Sequence, residues 1–292
     1  METSELIKKV RKVEIKTKGI SKQMFSGNYH SAFKGRGIAF SEVREYNVGD
    51  DIRTIDWNVT ARSNSPHIKI FEEERELTVV LLIDISGSEN FGTKVSSKRD
   101  LITEISAILS FAAIQNNDKI GVIFFSDKIE KFIPPKKGKS HTLRIIRELL
   151  ELEPTSTKTD LAMALKYFKN VITKSSIVFL ISDFVTDADY QKEMSLVSKR
   201  HDAVGIKVFD IKEYAIPNIG IVYFRDPETR KTKLIDTSDK STRNAYAEYQ
   251  ANLDTKTNKI LRSAKVDLIR LRTDESYVNP LINFFKSRDK KY

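Results

Sequence analysis

Five oxygen-bearing side chains stand at spacings that could bind a hard divalent cation. An Asp-x-Ser-x-Ser motif follows the apolar run 79–83 and places one carboxylate and two hydroxyls in a single tight turn. A threonine and a second aspartate come later, each beside another predicted element. Carboxylate and hydroxyl oxygens are the donors that Mg²⁺ and Mn²⁺ prefer. The pattern predicts a metal site formed by Asp84, Ser86, Ser88, Thr159 and Asp183.

These donors must be positioned by the elements that precede them. The run 79–83 is short and apolar between polar flanks, which indicates a buried strand. Further strands are predicted at 120–125, 177–181, 203–209 and 266–271, and helices at 97–115, 141–152, 160–171, 187–200 and 242–263. Strands that alternate with helices predict an α/β fold with a doubly wound, mostly parallel sheet. Ligands bind such sheets beyond the carboxyl ends of the strands, where Asp84 and Asp183 would lie.

The first 75 residues show a different pattern. Residues 1–18 predict a weakly amphipathic basic helix, and residues 19–66 are rich in glycine, serine and aromatics, with short possible strands and no clear helix. Later, a hairpin strand at 129–133 is expected to stop at Pro134-Pro135. We therefore expect a smaller β-rich N-terminal region over residues 1–75 and an α/β domain over residues 76–292.

Composition bounds the class of protein. The chain has 292 residues, no cysteine and a hydrophobic fraction of 40%. Without cysteine there is no disulfide framework and no thiolate chemistry, which fits a reducing compartment. No apolar run approaches the roughly 18 residues that would span a bilayer. We expect a soluble, cytoplasmic protein.

The net charge of +10 raises the alternative of nucleic-acid or anionic-surface binding. Much of the excess lies at the two ends, in Lys8, Lys9, Arg11, Lys12, Lys16, Lys18, Lys286, Arg288, Lys290 and Lys291. The segment from Gly35 to Arg62 adds arginines beside Tyr46 and Trp57, which could recognise phosphates or could pack with an ion-pair network. No known nucleic-acid motif accompanies the charge, so we do not expect nucleic acid to be the main partner.

Catalysis has less support than binding. The histidines His30, His67, His141 and His201 show no ligand spacing, and the chain lacks a Gly-x-Ser-x-Gly nucleophile elbow. Asp84 has no second aspartate two residues later for general acid chemistry. A metal with carboxylates can hydrolyse phosphodiesters, so a metal-dependent hydrolase remains an alternative. We expect no enzymatic activity.

The metal pattern and an upstream stretch both resemble known families. The set Asp84-x-Ser86-x-Ser88, Thr159 and Asp183 resembles the metal-ion-dependent adhesion site of von Willebrand factor A domains. Residues 35–46 (Gly-Arg-Gly-Ile-Ala-Phe-Ser-Glu-Val-Arg-Glu-Tyr) and 49–58 (Gly-Asp-Asp-Ile-Arg-Thr-Ile-Asp-Trp-Asn) are similar to the hallmark of the bacterial "domain of unknown function 58" family. This resemblance covers nearly the whole chain.

The resemblance implies a Rossmann-like von Willebrand factor A-type sheet with helices on both faces and a site for Mg²⁺ or Mn²⁺. It also implies protein binding, with a partner carboxylate at the metal, and adaptor work with a MoxR-type AAA+ ATPase in the remodelling of protein complexes. Two positions depart from the usual pattern. Glu89 stands where A domains often have methionine, and Thr157-Lys158 stand where they usually have glycines. Glu89 could tighten metal binding or block the partner, and Lys158 could offset its charge.

Overall fold

The computed structural model of the chain describes residues 3–25, 39–63, 65–72, 76–87, 97–186, 188–225 and 231–289. It divides into two compact units, one formed by residues 1–33 with 78–292 and the other by residues 34–77. The strands are β1 Ala39–Glu45, β2 His67–Glu72, β3 Thr78–Asp84, β4 Lys119–Phe125, β5 Ile129–Lys136, β6 Ile177–Ser182, β7 Asp202–Phe209, β8 Ile221–Arg225, β9 Thr232–Asp236 and β10 Asp267–Arg272. The helices are α1 Thr3–Phe25, α2 Trp57–Ser63, α3 Lys98–Gln115, α4 Lys139–Glu151, α5 Leu161–Val171, α6 Gln191–Ser198, α7 Lys240–Ser263 and α8 Val278–Asp289.

A six-stranded sheet in the order β10-β7-β6-β3-β4-β5 forms the centre of the larger unit. All neighbours pair in parallel except β5, which runs antiparallel to β4 at one edge. Strand β3, one of the two central strands, is buried from Val79 to Asp84. Both of its faces are covered, which explains why its sequence is a continuous apolar run instead of an alternating one. The predicted mostly parallel sheet is confirmed.

Helices cover both faces of this sheet. On one face, Val10 and Val13 of α1 pack with Phe111 of α3 and Ile146 of α4. The other face carries α5, α6 and α7, whose apolar side chains form one cluster with the even-numbered residues of β3, such as Leu82. Helix α1 therefore belongs to the larger unit, whereas the sequence pattern had grouped it with the N-terminal region.

Local capping accounts for two helix starts that matter for the site. Ser97 and Asp100 form a reciprocal capping box at the start of α3. Asp160 caps α5, because its carboxylate accepts a hydrogen bond from the backbone N–H of Met163 at 2.9 Å. Both helices therefore begin at fixed points beside the strand ends.

Several element bounds differ from the predicted ones. Strand β5 continues through Pro134 and Pro135 to Lys136, since a strand at a sheet edge tolerates residues without an N–H donor. Helix α6 is shorter than the predicted 187–200, and α1 continues beyond residue 18 to Phe25. Position 187 itself lies outside the described residues.

The smaller unit contains an antiparallel pair of strands, β1 and β2, with an irregular register between Phe40 and Glu42. It also contains helix α2, although no helix was predicted there. This helix begins because the Asp56 carboxylate accepts hydrogen bonds from the backbone N–H groups of Asn58 at 3.0 Å and Val59 at 3.3 Å. The aspartate is thus a helix cap that the sequence analysis missed.

Candidate metal centre

The two aspartates of the predicted site meet at the carboxyl edge of the sheet. Asp84 is the last residue of β3, and Asp183 follows the last residue of the adjacent strand β6. The Ser182 hydroxyl donates to Asp84 Oδ2 at 2.7 Å, and the Ser86 backbone N–H donates to Asp84 Oδ1 at 3.0 Å. Asp84, Ser86 and Asp183 are buried. The parallel pairing of β3 with β6 is what brings these two carboxylates to one place.

Thr159 is held close to the same edge by backbone hydrogen bonds between loops. The N–H of Gly87 donates to the carbonyl of Thr157 at 3.0 Å, and the N–H of Asp160 donates to the carbonyl of Ser126, just after β4, at 3.0 Å. The Thr186 hydroxyl donates to the Thr159 carbonyl at 3.1 Å. These bonds join the loops that follow β3, β4 and β6 to the loop that carries Thr159.

The Thr159 hydroxyl oxygen is the unusual atom of this site. It is buried and forms no hydrogen bond within the part of the chain that the structure describes. A buried hydroxyl without a partner costs free energy unless another ligand satisfies it. This oxygen is therefore suited to coordinate a cation.

Burial governs the charge of Asp84. The pKa of its carboxyl is raised to about 7, mainly because burial disfavours the ionised form and secondly because Asp183 repels it. Hydrogen bonds from Ser182 and Ser86 oppose this shift. Two buried carboxylates that repel each other are a common setting for a divalent cation, which relieves both the repulsion and the desolvation.

A buried lysine, which the sequence analysis missed, partly balances this charge. Lys98, in the first turn of α3, is fully buried, and its ammonium donates to Asp183 Oδ2 at 2.9 Å and to Glu213 Oε1 at 2.7 Å. A signal was present, because Lys98 lies on the same helical stripe as Leu101, Ile102 and Ile105. A lysine on the apolar stripe of a helix indicates a buried ion pair.

Glu213 connects the site to the segment that leaves the sheet after β7. It forms a reciprocal capping box with Asp210 around a 3₁₀ turn at Ile211–Glu213. Burial raises the pKa of Tyr246 on α7, and Glu213 and Lys98 both lie close enough to act on it electrostatically. The Tyr246 ring contacts Phe224 of β8 at 6.2 Å between centroids. Phe224 of the hairpin of β8 and β9 therefore contacts a tyrosine that lies within electrostatic reach of Glu213 and Lys98.

This hairpin exposes large apolar side chains. The strands β8 and β9 pair with each other as a two-stranded sheet, and Tyr223 lies opposite Leu234 in the register. Ile221, Tyr223 and Leu234 are 66%, 80% and 61% exposed. Apolar side chains clustered on one exposed face mark surfaces that bind other molecules more often than scattered ones do.

Of the five predicted ligands, Asp84, Ser86 and Asp183 lie buried at the carboxyl edge of the sheet, and the loop that carries Thr159 is hydrogen-bonded to the loops at that edge. Ser88 and Glu89 lie outside the described residues. Among the residues that are described, no three histidine or acidic side chains gather as a metal cluster. The candidate site therefore depends on two carboxylates supplemented by hydroxyls, a donor set suited to a hard cation.

The other candidates of the sequence have structural roles or stand apart. Arg44 forms a two-pronged ion pair with Asp50 at 2.8 and 2.9 Å, as the ion-pair interpretation of the segment from Gly35 to Arg62 predicted. That interpretation also has Trp57 packed, and this part of it is wrong, since the side chain is 70% exposed. Residues 35–38 lie outside the described part. His201 is buried against Ser176, with 2.8 Å between Nδ1 and the hydroxyl oxygen.

A six-stranded sheet in this order, with an Asp-x-Ser turn at the end of one of its two central strands, defines a von Willebrand factor A-type domain. The chain belongs to the family described as "Protein of unknown function DUF58", whose model matches residues 42–256. An uncharacterized protein of Mycobacterium tuberculosis is 26% identical over 281 residues, which cover 96% of this chain and 88% of that relative.

Two solved structures share the fold. The conserved hypothetical protein BatB from Bacteroides thetaiotaomicron superposes with a TM-score of 0.51 at 15% identity, covering 73% of this chain and 99% of that chain. An aerotolerance-related membrane protein from Bacteroides fragilis gives 0.51 at 16% identity, covering 74% and 100%. Across the described helices of the present chain, none is both long and apolar enough to cross a membrane.

Proposed function

We propose that this protein is a non-enzymatic, metal-dependent protein-binding module. The ligands of the proposed Mg²⁺ or Mn²⁺ ion are Asp84, Ser86, Ser88, Thr159 and Asp183. The observation that carries the proposal is the pair of buried carboxylates, Asp84 and Asp183, that repel each other at the carboxyl edge of the sheet. The buried Thr159 hydroxyl, which has no hydrogen-bond partner among the described residues, adds support from the adjoining loop.

When bound, the ion supplies a Lewis-acid position that can accept a carboxylate from a partner protein. The chain's own residues hold the donors in place: Ser182 orients Asp84, and Lys98 orients Asp183. The exposed hairpin face of Ile221, Tyr223 and Leu234 supports protein binding, since a protein partner can cover apolar area that a small ligand cannot.

For the partner, we propose a MoxR-type AAA+ ATPase, with the chain acting as its adaptor in protein-complex remodelling. The support is the family resemblance, because ATPases of this type accompany proteins of this family. Cytoplasmic location stays a prediction, and so does the absence of enzymatic activity.

The test is a binding titration with a purified MoxR-type ATPase, in MgCl₂ and in EDTA. The variant Asp84→Asn keeps one acceptor, for the Ser182 hydroxyl, and gives up the acceptor for the Ser86 N–H together with the charge needed for the ion. It should lose both metal and partner, and circular dichroism should show that it folds. Asp118→Asn is the matched control, because Asp118 is a buried aspartate just before β4, at the opposite edge of the sheet. It should bind like the wild type.

Calorimetric titration with Mn²⁺ separates the two parts of the proposal. Metal binding lost in Asp84→Asn, together with ATPase binding that ignores EDTA, would retain the metal site and reject the partner. No Mn²⁺ binding by the wild-type protein would reject the metal site itself.

A further inference from the structure

Helix α1 carries a cationic face directed away from the protein. Lys8, Arg11, Lys12 and Lys18 are all exposed, and none forms an ion pair with a described carboxylate. In helical projection these four surround Ile15, which is 70% exposed. We call this set the α1 face. Solubility would explain the exposed cations, but it does not explain an exposed apolar side chain at their centre.

The opposite side of α1 is anchored, so the α1 face is presented by a fixed helix. Val10 and Val13 pack against α3 and α4, and Thr17 and Ser21 are buried. The Thr17 hydroxyl donates to the carbonyl of Val13 at 2.7 Å. A helix held by one side along several turns keeps its outer side chains in a common plane.

Between residues 10 and 21, where the side chains are described, the one acidic residue does not neutralise the α1 face. Glu14 is partly buried at the border of the helix and pairs with Lys139 of α4 at 2.9 Å. Lys16, at the other border, pairs with Glu104 of α3. Between residues 8 and 20 the exposed charged side chains are all basic. The four cations of the face therefore have no ion-pair partner among the described side chains, and the face carries a net positive charge.

We propose that the α1 face docks on the surface of a bilayer rich in anionic phospholipid. The four cations would lie at the level of the headgroups, and Ile15 would enter the boundary between headgroups and acyl chains. Ile15 favours a bilayer over nucleic acid, because a phosphate backbone offers no apolar layer to receive it. This docking is independent of the metal site and leaves the carboxyl edge of the sheet available.

Vesicle co-sedimentation tests the proposal. Full-length protein should bind vesicles of phosphatidylglycerol and phosphatidylcholine and should not bind phosphatidylcholine alone. The variant that combines Lys8→Gln, Arg11→Gln, Lys12→Gln and Lys18→Gln should bind at least about a hundredfold more weakly, since each cation near an anionic surface contributes about fivefold. Binding of the wild type should also fall steeply as salt is raised.

A matched control removes the same number of charges elsewhere. Lys166, Lys192, Lys199 and Arg200 are exposed and lie on or next to α5 and α6, on the other face of the sheet. Their replacement by glutamine should leave vesicle binding within about threefold of wild type. An equal loss in both variants would overturn the α1 face as the site and leave only an effect of net charge.

The role of Ile15 has its own readout. The variant Ile15→Trp, in a Trp57→Phe background, should show a blue-shifted fluorescence emission with anionic vesicles, and Ile15→Ser should weaken binding. Unshifted emission, or tighter binding to a short DNA duplex than to the vesicles, would reject the bilayer.

Discussion

Replacing Lys98 with methionine should weaken the metal-free protein and strengthen its binding of metal. The ammonium of Lys98 is fully buried and contacts both Asp183 and Glu213. Methionine has a similar shape and no charge, so the variant isolates the electrostatic role of the ammonium. It leaves two carboxylates without their cation, and the cost of breaking such a buried pair is about 3–5 kcal/mol.

The expected gain in metal affinity follows from the short distance between the Lys98 nitrogen and the proposed ion. The lysine nitrogen lies 2.9 Å from Asp183 Oδ2. A cation about 2.1 Å from an oxygen of the same carboxylate would lie roughly 5–7 Å from that nitrogen. At an effective dielectric constant of about 20, the repulsion is then about 2–3 kcal/mol for each unit of ion charge. Because carboxylate protonation offsets part of this, we expect Mn²⁺ affinity to rise by about ten- to a hundredfold.

The assay combines thermal unfolding with calorimetric titration of Mn²⁺. Without metal, the midpoint of unfolding should fall by on the order of 10 °C, and saturating Mn²⁺ should restore most of it. Lys207→Met is the matched control, since Lys207 is also a buried lysine of this domain and pairs with Asp254 instead of a proposed ligand. The control should lose stability without a change in Mn²⁺ affinity.

The reasoning would be refuted by a Lys98→Met variant that folds and binds Mn²⁺ no more tightly than the wild type. In that case the ion and the lysine would not share Asp183.

Three further results are expected. Thr159→Val should leave metal-free stability unchanged or slightly higher, because the lost hydroxyl has no described partner, while Mn²⁺ affinity measured by calorimetry falls by about tenfold or more. Mn²⁺ affinity should fall about tenfold per pH unit below about 7, where protonation of Asp84 competes with the ion; a flat profile from pH 7 to 5 would contradict this. Burial, and secondly Arg200, lower the pKa of His201 to about 4, so the unfolded chain binds the proton more readily between pH 6.5 and 4. The wild-type protein should therefore lose up to about 3 kcal/mol of unfolding free energy through His201 as the pH falls from 6.5 to 4, and His201→Gln should not show this loss, as measured by urea unfolding.

The carboxylates of the site could be predicted because each follows an apolar strand directly. Asp84 and Asp183 needed only one further step, that the strands before them are parallel and adjacent, and β3 and β6 are so paired. Thr159 was predicted by its position before a helix. Its actual placement depends on bonds such as the one from Gly87 to Thr157, which join residues far apart in the chain.

The ion-pair partners of Lys98 could not be predicted from the spacing of nearby residues. Glu213 lies 115 residues away along the chain. The pairing depends on how α3 packs beside the exit of β7, and no periodicity along the sequence records it. Helix α2 was missed for another reason, because Trp57, Val59 and Thr60 are aromatic or β-branched residues that disfavour helix. The cap from Asp56 supplies a local start signal that propensity alone does not reveal.

The prolines of β5 have a consequence for self-assembly. An unprotected edge strand can pair with the edge of another molecule and so start the growth of a continuous intermolecular sheet. Pro134 and Pro135 have no N–H to donate to an incoming strand, and the flanking Lys131 and Lys136 would repel a second copy. Replacing both prolines with threonine should therefore promote aggregation in concentrated solutions of the folded protein. Pro134 and Pro135, which look like strand breakers in the sequence, therefore protect the edge of the sheet against pairing with another molecule.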